Sequence, residues 1–95
     1  MVTQEQIQEW KAKYGQVFKI TVEDKQCYLR IPTRKDLSYA SAAGKDNIFA
    51  FNESILNNCW LAGDEEIRTN DEYFLGASEA LGGIIKAKKS KLVKL

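Results

Sequence analysis

The chain has 95 residues, 44% of them hydrophobic and 28% charged, with a formal net charge of +1. That is the length of one small domain, with apolar side chains enough for a core but little surplus stability. It holds no histidine, which excludes Ser-His-Asp and Cys-His catalysis, histidine metal sites and near-neutral histidine acid–base chemistry, and its overall charge excludes a polycation that gathers nucleic acid over its whole surface.

Thr3 and Gln6 stand in capping-box spacing, and Ile7, Trp10 and Tyr14 recur at three and four residues. The spacing predicts an amphipathic helix over Gln4–Tyr14, ended by Gly15. The period then falls to two. Phe18, Ile20 and Val22 alternate with Lys19 and Thr21, and beyond Glu23-Asp24 the residues Cys27, Leu29 and Ile31 alternate with Tyr28 and Arg30. Two alternating runs around a short acidic turn read as an antiparallel β-hairpin whose apolar face needs a cover.

Pro32 closes the second strand, and Thr33 with Asp36 opens a helix through Ala43. Its inward residues Leu37, Ala40 and Ala43 are mostly small, and Gly44 breaks it. A third helix is expected over Asn47–Leu61, with Ile48, Phe51, Ile55 and Cys59 on one face, and Gly63 as its stop. A polar loop follows. Thr69 and Glu72 then predict a capped last helix running almost to Leu95, along a stripe of Phe74, Ala77, Leu81, Ile84, Lys88, Leu92 and Leu95. Acids at its start and five lysines at its end match the helix dipole. Gly82-Gly83 weakens it by about 1 kcal/mol per residue relative to alanine. The fold class expected is a single α+β domain over 1–95: an N-terminal helix, an antiparallel hairpin, and three helices packed on it, the last one long.

The chemistry-bearing residues read mostly as structure. Cys27 and Cys59 lie on apolar faces without a C-x-x-C spacing, and the segment after Met1 is polar and charged, without the apolar stretch of a secretory signal. Buried reduced thiols and a cytoplasmic setting are expected. Asp64-Glu65-Glu66 lacks the ligand spacing of an EF-hand and reads as a solvated loop. Asn52-Glu53-Ser54 falls inside a helix, so its sequon reads as chance. Gly82-Gly83 lacks the strand and Lys-Ser/Thr pair of a phosphate loop. The lysines come without arginine or stacking aromatics, which argues against nucleic acid, and Leu92, Val93 and Leu95 make only a fragment of a membrane-binding face. Tyr28 and Arg30 share the outward face of the hairpin, where they read as anchors for a protein partner. The alternative for Tyr28 is cover from a neighbouring helix. Leu81, Ile85 and Leu92, on the last helix, are the other candidate protein contacts: a heptad-like stripe suited to a partner helix. The hairpin's edges offer a second contact, to another copy of the chain.

Four segments together resemble the small tail assembly chaperones of phages and prophages: Trp10-Lys11-Ala12-Lys13-Tyr14-Gly15; Cys27 through Leu37, containing Leu29-Arg30-Ile31-Pro32; Phe51 through Trp60, containing Leu56-Asn57-Asn58-Cys59; and Asp71-Glu72-Tyr73-Phe74-Leu75. In that group a strand pair ending in Leu-Arg-x-Pro precedes a helix with Leu-x-x-Cys. The resemblance implies a non-enzymatic factor in the bacterial host cytoplasm that binds the tape-measure protein, and also tail-tube subunits, and self-associates. It carries over no catalytic residue, and no cofactor, metal, membrane, nucleic acid or small-molecule substrate is expected. Two other protein-binding roles stand beside it: a structural or connector component of the phage particle, and a host-directed inhibitor.

Overall fold

The computed structural model describes residues 2–85 and 89–95. Its fold is α+β: an N-terminal helix, a three-stranded antiparallel sheet and further helices. In chain order the elements are α1 (Gln4–Tyr14), β1 (Val17–Val22), β2 (Lys25–Arg30), α2 (Arg34–Ala43), α3 (Ile48–Cys59), β3 (Trp60–Gly63), α4 (Glu66–Thr69) and α5 (Asp71–Leu81), followed by a 3-10 turn at Gly82–Ile84.

Local chemistry sets the first half as expected. Thr3 Oγ1 accepts from the Gln6 amide at 3.2 Å, and the Gln6 side chain accepts from the Thr3 amide at 2.9 Å, so two amides at the start of α1 are satisfied reciprocally. Gly15 ends the helix at φ 91, a backbone conformation that costs glycine little. No residue of α1 is fully buried. Thr3→Ala is therefore expected to fray α1 at a cost of about 1 kcal/mol while the rest of the fold stays intact. Trp10 fluorescence should shift to the red without loss of the cooperative transition. An unshifted Trp10 would show that packing, and not the cap, holds the helix.

β1 and β2 pair from Val17↔Arg30 to Val22↔Lys25 around a two-residue turn, where Glu23 takes φ 53. Alternation then sorts the sheet's faces. Ile20, Cys27 and Leu29 point into the core; Lys19, Thr21, Tyr28 and Arg30 point the other way. The inner face meets α3, α4 and α5, and α2 packs on α3. Ala40 of α2, Ile55, Leu56 and Cys59 of α3, Ile67 of α4, Ala77 and Leu81 of α5, and Ile84 of the 3-10 turn complete the buried cluster. Each of its fully buried Leu and Ile side chains contributes about 2 kcal/mol. α1 lies on the outer face.

The second half departs from the sequence expectations in three places. The third helix ends at Cys59, and Trp60–Gly63 form a strand. That strand pairs antiparallel with β2, from Leu29↔Trp60 to Cys27↔Gly63, with a bulge between Tyr28 and Leu29. The close approach uses Gly63, at φ 142 against the Cys27 backbone. The loop after it is no plain solvated stretch. Asp64 is stitched to β2 in both directions, its amide donating to the Gln26 carbonyl and its carboxylate accepting from the Gln26 amide, each at 2.9 Å. The short helix α4 follows.

The third difference is the last helix. Its N-cap is Asn70, whose side chain accepts from the Glu72 and Tyr73 amides at 2.9 and 3.3 Å. Thr69 instead donates its hydroxyl to the Glu65 carbonyl at 3.2 Å. The helix stops at Leu81, where Gly82 and Gly83 tighten it into a 3-10 turn, and residues 89–95 have no regular secondary structure. The last helix is thus eleven residues long and has no basic residue in its last turn. Lys89, Lys91 and Lys94 lie in the irregular segment beyond it. The part of the expected helix at 86–88, including Lys88 of the stripe, lies outside the described residues.

Candidate functional site

Arg30 and Asp36 form the polar centre of the fold. Pro32 ends β2 and Thr33 caps α2, so Asp36, three residues on, faces back toward the end of the strand. The Arg30 guanidinium donates to both Asp36 carboxylate oxygens, at 2.6 and 3.2 Å. It also donates to the Ile31 carbonyl at 3.2 Å and the Asn58 carbonyl at 2.8 Å, tying β2 to the end of α3. Asp36 accepts from the Thr33 amide at 2.8 Å and from its hydroxyl at 2.9 Å. The Arg30 hydrogen bonds hold the Asp36 carboxyl down at about 2, although its burial pushes the other way. The same pairing raises Arg30. Arg30, expected as an outward anchor for a partner, is spent inside the fold: its donors go to the protein's own carbonyls and to Asp36.

Tyr28 occupies a different setting. Trp10 of α1 lies against it, ring centroids 5.9 Å apart and tilted by 44°, a separation within the range of packed aromatic pairs. Tyr28 is half-buried, covered in part by the helix. It still floors two shallow grooves beside the N-terminal half of α1. One, of about 310 Å³, runs between α1 and β1 and is lined by Ile7, Lys11, Val17, Phe18 and Lys19. The other, of about 420 Å³, opens toward β3 past Gln6, Gln26, Ala62 and Asp64.

Leu81, Ile85 and Leu92 do not form a stripe. Leu81 is 2% exposed and belongs to the core, Ile85 is 38% exposed just past the 3-10 turn, and Leu92 is 98% exposed in the irregular segment 89–95. The termination of α5 at Leu81 separates them. Charge is also segregated. Residues 86–95 hold five lysines and no acid, and the other 85 hold nine Lys and Arg against thirteen Asp and Glu, a net of −4. In the sequence these lysines read as the end of a helix. β3, and hence the identity of the sheet's open edges, has no local signal, because Trp60 and Leu61 continue the apolar pattern of α3.

The two thiols have no reactive setting. Cys27 and Cys59 are free and fully buried, and burial pushes each up to about 11. Cys59 donates weakly to Asp36 at 3.8 Å. Both are expected to resist maleimide at neutral pH until the chain unfolds, with the labelling rate tracking global unfolding. Fast labelling of either thiol in native buffer would contradict this burial. Among the described residues, no group of three or more Cys, Asp or Glu side chains is arranged to hold a metal ion, and no helix is long and apolar enough to cross a membrane. Compared with known proteins, the chain matches no protein-family model, no curated protein and no solved structure.

Proposed function

We propose that this chain is a non-enzymatic protein-binding factor, and that its partner is the tape-measure protein of a phage or prophage tail, held in the host cytoplasm before assembly. The observation that carries the binding role is the segment 89–95. It leaves the compact body with Leu92 at 98% and Leu95 at 113% relative exposure, set among lysines. Such apolar side chains cost free energy in water and gain it against a partner. The ionisable groups of the body support the same reading, since Arg30, Asp36, Asp64 and Asp24 are occupied in holding strands and helices together. The naming of the partner rests on the sequence resemblance alone.

The test is co-expression with a tape-measure fragment. The full chain is expected to keep the fragment in the soluble fraction and to co-purify with it. The double substitution Leu92→Glu/Leu95→Glu should weaken that complex by about two to three orders of magnitude, since two leucines buried at an interface contribute about 2 kcal/mol each. Purified particles should lack the chain. Failure to hold the fragment, together with many copies in mature particles, would point instead to a structural component.

A further inference from the structure

We propose that the outer edge of β1 is a strand-addition site for an extended partner segment in which acidic and apolar residues alternate. This inference rests on the protein-binding reading but not on the partner's identity. β3 covers one side of β2 and β1 covers the other, so β1 is an edge of the sheet. Val22↔Lys25 flank the two-residue turn and form a hydrogen-bonded pair, and the pairs alternate from there. The Ile31 amide donating to the Gln16 carbonyl at 3.0 Å fits that alternation at the other end. The amides and carbonyls of Val17, Lys19 and Thr21 therefore point away from β2. Among the described residues, none of these groups has a backbone partner outside the hairpin.

The groove between α1 and β1 lies beside this edge. Ile7, Val17, Phe18 and Tyr28 line it with apolar surface, and among the described residues its charged lining side chains are Lys11 and Lys19. A strand added to β1 takes its affinity from the main-chain ladder and its selectivity from alternate side chains. On the groove side those side chains meet two lysines, which selects glutamate or aspartate. Two occupants from this chain are disfavoured by the same charges. A second copy's β1 brings its own Lys19, and residues 89–95 bring Lys89, Lys91 and Lys94. Lysine on an open edge also guards against self-pairing.

The test uses the full chain, labelled for amide exchange, and a blocked peptide alternating glutamate and valine, with the lysine–valine peptide as control. The amides of Val17, Lys19 and Thr21 are expected to gain at least about tenfold protection with the glutamate peptide and none with the lysine peptide. Lys19→Glu should reverse the preference. Thr21→Pro removes one outward N–H and leaves the β2 ladder untouched, so it should lower affinity about tenfold while β2 amides stay protected. Equal response to both peptides, protection at β3 or at 89–95 instead, or unaltered affinity in Thr21→Pro would overturn the proposal. Those outcomes would leave capture of the tape-measure fragment, measured separately, as it stands.

Discussion

Gly63→Ala is expected to destabilise the fold by about 3 kcal/mol or more, a drop in Tm of about 15 °C for a domain of this size. Two effects add. The backbone at Gly63 has φ 142, a region that costs a residue with a Cβ about 1–3 kcal/mol. A Cβ there would also lie 2.5 Å from the Cys27 Cα and 2.6 Å from the Gln26 carbonyl oxygen. Those are backbone atoms of the central strand and cannot swing aside. The strand β3 must move off, and with it goes the pairing that seats Asp64 on Gln26. Gly82→Ala is the matched control: among the described residues, beyond its chain neighbours and its own helix, no atom lies within 4 Å of the added Cβ and φ is −59, so it should be neutral or gain a few tenths of a kcal/mol. Urea melts of the two variants check this directly. If Gly63→Ala melts with the parent chain, the third strand is not held where it is described.

Asp36→Ala should cost about 3 kcal/mol at neutral pH. It strips the Arg30 guanidinium of its bidentate partner, with the arginine side chain only 19% exposed, and it removes one half of the α2 capping box. Breaking a mostly buried pair from one side leaves a charge without compensation, which is the costly way to lose it. Replacing both partners with apolar residues, as in Arg30→Met/Asp36→Leu, should recover much of the loss. The pH dependence has a definite sign. The folded chain holds Asp36 at about 2, below its ordinary 3.8. A depressed carboxyl stabilises the fold above the unfolded value, so the contribution, about 2 kcal/mol, is complete above about pH 5 and is lost as pH falls through 4 toward 2. Asp36→Asn should flatten the stability profile in that window. A parent profile with no step between pH 4 and 2 would remove Asp36 from its assigned role.

Both large effects arise at positions whose importance is invisible from local pattern. Gly63 reads in sequence as a helix stop, because glycine ends helices far more often than it allows two strands to touch. Arg30 reads as an outward residue, because alternation correctly puts it on the face opposite Leu29. Its partners lie six and twenty-eight residues away, where no spacing rule reaches. Of the contact residues expected from the sequence, Tyr28 stands on a groove, Leu92 is exposed, and Leu81 is core.

Elements whose physics is local are legible in the chain. α1 and α2 follow from capping boxes that close within four residues. The hairpin follows from strict alternation around a two-residue turn, and the apolar face from which residues alternate. Only the tertiary structure decided the rest. Trp60–Gly63 became a strand because the β2 edge was there to receive it. The last helix stopped at Leu81 because the two glycines beyond it offer neither helix propensity nor side chains to pack, and the chain reaches the buried Ile84 through a 3-10 turn instead. Beyond it, among the described residues, Leu92 and Leu95 stand exposed beside Lys89, Lys91 and Lys94, a placement that depends on where burial runs out.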